Sequence, residues 1–539
     1  MLTRGEYRRA VSGGVISLAA ILGFAGTAVW ALIHAGWSGF DVSLFDPYLM
    51  GVLRFTVLQA VLSALLSVAV AVPFARALAR QPQFPGRIWI VRLMTVPLGL
   101  PVITGALGLI AVWGRNGWAN EVLRFAGLSE PVSIYGLGGI LLAHVFFNFP
   151  LAARLFLNGL ERLPGEYWLL SSNLGMSSLQ VFRFIEWPQI RRQIPGIAGL
   201  ILMLAATSFT LVLMLGGGPA ATTLEVAIYQ ALRFDFDPGR AVALALLQIG
   251  LCAVLLLLLS LAGGRGADAI TATTISRRTD GERLRQRMLD AFILFMGTAF
   301  VATPLASIVA GGVRADLLRI IRETAFRQAL ATSLALALPA GLLATGLSLL
   351  LIKAKLAQDE NAQGNRFARM AAGALPSIAS LILLFPATVL GTGWFLAVGP
   401  AHLTPLAPLL IIGVNSLMAF PFTLRMLDTP IAVHRLRTGR LAASLGIRGF
   451  ARFRLIDWPV LRRPLLSSLS MGMALSLGDV GVIALLGNDN LVTLPWLLYS
   501  RMGSYRTLDA AGIALLLAIL CLVLTLGGTG PSRENQANE

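Results

Sequence analysis

The chain has 539 residues, of which 56% are apolar and only 13% charged. A soluble protein of this length needs far more polar surface, so the composition excludes an ordinary globular domain and predicts an all-α polytopic membrane protein. A formal net charge of +17 raises nucleic acid as a partner, but the placement of that charge along the chain argues against it.

Twelve apolar stretches are long enough to cross a hydrocarbon core of about 30 Å as helices. In chain order they lie near 12–34, 52–75, 90–113, 136–157, 194–216, 241–262, 290–311, 329–352, 371–398, 405–424, 464–487 and 508–528. Arg4, Arg8 and Arg9 precede the first stretch like the flank of a secretory signal. That stretch is long and lacks a small-residue cleavage site, so it is expected to remain as a span. With the amino terminus cytoplasmic, 32 of the 43 Lys and Arg fall on the cytoplasmic side and 11 fall outside. The positive-inside rule requires that bias of a multi-pass chain with both termini cytoplasmic, so the basicity is a topology signal. Cys252 and Cys521 lie inside apolar stretches and read as core residues. No metal site and no cofactor is expected.

A stretch rich in Gly, Thr, Ser and Arg at 266–288 separates two halves, 1–265 and 289–530, and 531–539 reads as a cytoplasmic tail. The halves match in detail. SSNLGMSSLQVFRFIEWPQIRR at 171–192 and AASLGIRGFARFRLIDWPVLRR at 442–463 share nine of 22 positions without a gap. The same offset of 271 pairs Phe149-Pro150 with Phe420-Pro421 and Leu215-Gly216 with Leu486-Gly487. Each half holds six predicted spans, an even number, so the halves are parallel repeats, an arrangement that builds a pathway at their interface.

The matched stretches fall in cytoplasmic loops at about 164–192 and 435–463. Glycine permits a sharp turn at Gly175 and Gly446, and proline at Pro188 and Pro459 suits one helix ending and a span beginning. The mixed apolar and basic residues between suit a short surface helix that offers an apolar knob to a partner. Basic residues that merely anchor helix ends account for single arginines, but not for the ungapped pattern. Only two lysines occur, Lys353 and Lys355, and neither follows a glycine, so the chain holds no GxxxxGK[ST] phosphate loop. Metalloprotease and nucleophile-elbow motifs are equally missing, and the chain is not expected to be an enzyme.

These loops resemble the cytoplasmic EAA loop of ATP-binding-cassette importer permeases, roughly EAA-x3-G-x9-I-x-L-P. Gly175, Ile185 and Pro188 keep that spacing, as do Gly446, Ile456 and Pro459. The Glu of EAA is replaced by Leu169 and Arg440, and the Leu before proline by Trp187 and Trp458. The resemblance implies a type I importer permease fold with both halves fused. It also implies ATP hydrolysis by two copies of a separate ATPase subunit. The coupling residues it implies are Leu174, Gly175, Met176, Arg183 and Pro188, and Leu445, Gly446, Ile447, Arg454 and Pro459.

Two outward connections are the most distinctive remaining segments, LGGGPAATTLEVAIYQALRFDFDPGRA at 215–241 and LGNDNLVTLPWLLYSRMGSYRTLDAA at 486–511. They resemble the fused permeases of thiamine and thiamine-pyrophosphate importers, above all in GSYR at 503–506. Ferric-iron permeases share the fused layout and a GGGP-type loop. The resemblance implies transport of thiamine and its phosphate esters, a periplasmic binding protein, and an inner-membrane location. Tyr229, Phe234, Trp496, Tyr499 and Tyr505 could stack on an aromatic cation or serve as interfacial aromatics. Asp479 is the one acid well inside a predicted span, where insertion costs about 2.5–3.5 kcal/mol, and is either a gate residue or a hydrogen-bonding group. His144, Asn148 and Asn415 read as interhelical hydrogen-bonding residues. An ion-coupled carrier would also have twelve spans in parallel halves, but usually needs more intramembrane acids and histidines.

Overall fold

A computed structural model describes residues 4–39, 46–127, 131–262, 278–281, 283–361, 381–447, 449–488 and 491–528. They form helices joined by turns, with no strand among the described residues. Eight helices there are long and apolar enough to cross a membrane, and a bent pair makes a ninth. The eight coincide with the predicted spans at 12–34, 52–75, 136–157, 241–262, 290–311, 329–352, 405–424 and 508–528.

The described residues therefore do not form twelve continuous apolar helices, and the reasons are local. The third and fifth predicted spans of each half are the broken ones. Arg87–Gly99 and Val102–Phe125 meet at 115°. Pro101 stands at that elbow, where its missing N–H and its ring interrupt the helical ladder. Pro386 opens the Ala387–Val398 helix in the same way, and this helix and Val102–Trp113 are both 12 residues long. Residues 371–380 of that predicted span lie outside the described residues. The fifth spans break at matched points: Trp187–Ala206 then Thr210–Leu215, and Trp458–Leu477 then Gly481–Leu486. Every bound of the second pair lies 271 residues after its counterpart, so the repeat extends to helix ends.

The chain divides into two compact units whose limits differ from the sequence halves. One unit combines Phe45–Ala227 with Gly250–Gly311, so it contains all but the last turn of the Leu284–Arg314 helix that opens the second half. In it Phe300 lies edge-on to Phe146 at 6.4 Å, and the Ser307 hydroxyl donates to the Gly108 carbonyl at 3.0 Å. The other unit contains the Arg4–Gly39 helix, Ile228–Ile249 and the described residues of Gly312–Glu539. There the Ser17 hydroxyl donates to the Leu347 carbonyl at 3.0 Å, and Phe24 packs on Trp394 at 4.8 Å. A Cβ on Gly393 would lie 2.3 Å from the Ala28 carbonyl oxygen, so only glycine allows that approach.

Apolar faces gain little by exchanging lipid tails for one another, which leaves close approach and buried hydrogen bonds to join helices in a membrane. Two such bonds start from the equivalent positions 144 and 415 of the repeat but end on different spans. His144 meets Ser63 at 2.8 Å in one unit, and Asn415 donates to Ser476 at 2.9 Å in the other.

Candidate functional site

The first of the two matched loops is built in four steps. The Gly165–Asn173 helix ends where Gly175 turns left-handed at φ +61°, and Met176 N–H returns to the Ser171 carbonyl at 3.0 Å. Ser177 and Gln180 then form a capping box that starts Ser178–Val181. A π-turn follows over Phe182–Glu186, and Trp187–Ala206 begins with Pro188 in its first turn. The second loop repeats the plan. Gly446 has φ +66°, Ile447 N–H returns to Ala442 at 3.0 Å, and Gly449–Arg452 leads into a π-turn over Phe453–Asp457. Pro459 then occupies the first turn of Trp458–Leu477.

The π-turn gives the F-x4-W spacing its physical meaning. Residues five apart do not share a face of an α-helix, whereas a turn closed from residue i to i+5 brings them together. Phe182 and Trp187 lie 5.8 Å apart, and Phe453 and Trp458 5.9 Å. Their interplanar angles are 48° and 46°. On this scaffold both loops hold apolar side chains out at matched positions: Leu174 and Leu445 are 66% and 62% exposed, Phe184 and Leu455 63% and 66%. Arg183 and Arg454 are also exposed, and Met176 and Ile447 are half-buried.

The acidic position of the motif faces inward. Glu186 is fully buried, with one carboxylate oxygen 2.5 Å from Arg76 Nε and the other 2.6 Å from Arg278. Burial pulls the Arg278 guanidinium down, but the carboxylates of Glu186 and Asp280 outweigh it and hold the group above its ordinary value. In the second loop Asp457 is met by His434 at 2.9 Å and by Arg452 at 3.6 Å.

Parts of the two connections predicted to face outward meet within one unit. Tyr229 packs edge-on to Phe234 at 5.6 Å, and Trp496 lies 5.5 Å from Tyr499. Burial raises the Tyr229 phenol above its ordinary value, with the Tyr499 phenol adding to this and Arg233 opposing it. Arg233 donates to the carbonyls of Ala484 and Gly487, at the end of the Gly481–Leu486 helix. Asp479 sits at the start of that helix, where its carboxylate accepts from Gly481 N–H at 3.3 Å and Val482 N–H at 3.2 Å. An acid at the amino end and a base at the carboxyl end match the helix dipole, so the short helix is pinned at both ends. Tyr505 stands apart, 92% exposed and in a left-handed conformation at φ +59°.

Comparison with known proteins places this architecture. A family described as "Binding-protein-dependent transport system inner membrane component" matches residues 71–265. A thiamine transport system permease protein of Brucella abortus (strain 2308) is 48% identical over 521 residues, spanning 96% of this chain and 94% of the relative. Its counterpart in Salmonella typhimurium is 42% identical over 510 residues, spanning 94% and 92%. The counterpart in Escherichia coli (strain K12) is 43% identical over 480 residues, spanning 89% and 88%. The chain belongs to this permease family.

As a binding-protein-dependent permease it is an inner-membrane component with multiple apolar helices. The family match covers the first loop, and the long relatives extend the kinship through the second. Tyr229, Trp496 and Tyr499 come together as candidates, Asp479 joins them through the short helix that Arg233 holds, and Tyr505 does not. Two structural participants escape sequence reading. Arg233 ends the amphipathic run LEVAIYQALR as its single charged base, a usable signal, whereas Arg278 hides in a linker dense with arginine.

Proposed function

We propose that the permease is the membrane-spanning subunit of an ATP-driven importer that carries thiamine across the inner membrane. One copy works with two copies of an ABC ATPase subunit and with a periplasmic binding protein, and both chain termini are cytoplasmic. The two sequence halves, 1–265 and 289–530, supply one coupling loop each, at about 164–192 and 435–463. The duplication of the loop geometry carries this reading: the same left-handed glycine, the same π-turn and the same outward apolar side chains occur twice.

Each loop offers its apolar side chains to a cleft on one ATPase copy. Leu174, Met176 and Arg183 form one contact surface, and Leu445, Ile447 and Arg454 the other. Closure of the ATPase pair upon ATP pushes on both loops together. Pro188 and Pro459 stand where loop passes into span, so the displacement enters the helices Trp187–Ala206 and Trp458–Leu477 directly. The broken spans suit such a movement, because short segments joined at a break rotate without disturbing a long helical ladder.

The thiamine reading draws on the relatives' names over most of both chains. It also fits the outward chemistry. A thiazolium cation with an aromatic ring is attracted to aromatic faces, at about 0.5–2 kcal/mol per favourable contact. The exposed Phe234 and the half-buried Trp496 and Tyr499 supply such faces, with the buried Tyr229 packed edge-on to Phe234. The test is uptake of labelled thiamine, with labelled ferric iron in parallel, by cells lacking the chain and by complemented cells. Loss and rescue of thiamine uptake alone is expected. Rescue of iron uptake instead would overturn the substrate and leave the architecture, and no response of either solute would overturn both assignments.

A further inference from the structure

Residues 266–288 have the composition of a solvated linker, yet Arg278 within them is buried. Its guanidinium lies 3.9 Å over the Trp168 ring, 2.6 Å from Glu186 and 3.0 Å from Asp280. Trp168 precedes Gly175 in the first coupling loop and Glu186 follows it. Arg278 therefore grips that loop at two points on either side of its glycine turn.

The grip belongs to a wider set of charges within the same unit. Arg76 pairs with Glu186 and donates to the Ser178 carbonyl at 2.6 Å. Arg80 donates to the Ser178 hydroxyl at 2.6 Å and pairs with Asp290 at 2.5 Å. Gln81 donates to the Gly281 carbonyl at 3.1 Å and to Asp290 at 3.0 Å. Three arginines thus meet three carboxylates, Glu186, Asp280 and Asp290, and the charges balance. The network ties the first loop to the end of the Pro47–Arg80 helix, to the linker and to the Leu284–Arg314 helix.

Among the described residues the second loop has no counterpart of the contact made by Arg278. The Thr324–Asn361 helix starts 277 residues after the Pro47–Arg80 helix, which sets Lys353 and Ala357 at the repeat positions of Arg76 and Arg80, and the linker occurs once in the chain. Asp457 is met by His434 and Arg452 and lies within electrostatic reach of Lys353, all from its own half.

We propose that Arg278 is a positioning residue for coupling. Through Glu186 and Trp168 it fixes the first loop to the membrane helices, so that movement of the ATPase docked there is transmitted rather than absorbed by the loop. The linker is then a working part of the transmission and makes the two coupling loops mechanically unequal. This inference rests on the reading of the loops as ATPase-docking elements.

The test uses the full-length permease with its ATPase and binding protein in proteoliposomes, with labelled thiamine as the probe. Thiamine moved per ATP hydrolysed is measured beside the amount of ATPase retained by the purified complex. Arg278→Ala is expected to retain the ATPase and lower thiamine moved per ATP by about fivefold, the scale on which contact networks modulate coupling. Arg278→Lys keeps the charge but loses the planar fork, and is expected to recover only part of the ratio. If Arg278→Ala is not recovered from the membrane, Arg278→Lys decides alone: a lowered ratio supports the assignment and a normal ratio overturns it. A normal ratio in a well-assembled Arg278→Ala complex also overturns it. Failure of the docking reading shows separately, as full uptake by variants at Gly175 and Gly446.

Discussion

Gly175→Glu and Gly446→Glu should each abolish uptake while leaving the chain inserted in the membrane. Both glycines sit in the left-handed region, at φ +61° and +66°. A side chain there costs about 1–2 kcal/mol in backbone strain. A Cβ at either position meets no atom within 4 Å, so the substitution does not disturb a packed core. It instead reshapes the turn that presents Leu174 or Leu445 and adds a desolvated charge to an apolar docking surface. Loss of an interface anchor of this kind costs about 2 kcal/mol or more, a weakening beyond tenfold. Under the proposed pairing with two ATPase copies that close together, one damaged loop suffices. Asparagine tolerates the left-handed conformation, so Gly175→Asn and Gly446→Asn should keep much of the activity. The check is uptake by cells with equal amounts of each variant in the membrane. Normal uptake by both glutamate variants would sink the coupling assignment.

The second large effect is expected on stability, at Glu186. Glu186→Gln leaves the Arg76 and Arg278 guanidiniums facing an amide that can turn only one acceptor toward them. Breaking a buried pair by removing one partner costs about 3–5 kcal/mol. Asp280 still serves Arg278 and Ser178 still serves Arg76, which places the loss toward the lower end of that range. Asp457→Asn removes the repeat partner from a more accessible setting, where a pair contributes about 1 kcal/mol at most. Thermal unfolding of the purified variants in detergent should show a much larger drop in Tm for Glu186→Gln. Equal drops, or a larger one for Asp457→Asn, would mean that the network around Arg278 does not brace the first loop.

How much of this the sequence discloses depends on the kind of interaction. The two matched loops are legible because their chemistry is local: a glycine that must turn left-handed and a proline that must open a helix leave fixed spacings. Helix existence is legible from hydropathy alone at spans such as 52–75 and 329–352. Helix continuity is not. Pro101 signals its elbow, but the breaks before Thr210 and Gly481 carry no proline, and Asp479 reads as an intramembrane acid until its bonds to Gly481 and Val482 are seen. The π-turns are invisible as such, although F-x4-W is their trace. Exchange of opening helices between the compact units leaves no mark on composition, since Ser17 and Gly393 declare no partner. Arg278 is indistinguishable in sequence from neighbouring arginines, because what sets it apart is a buried carboxylate 92 positions away.

The most direct test of the central claim, that one chain presents two equivalent docking loops, is the number of ATPase subunits bound per permease chain, read by native mass spectrometry of the purified complex. The account predicts two for the unaltered chain and one for Gly175→Glu or Gly446→Glu. A single ATPase subunit on the unaltered chain, or two retained by a chain carrying both substitutions, would contradict it.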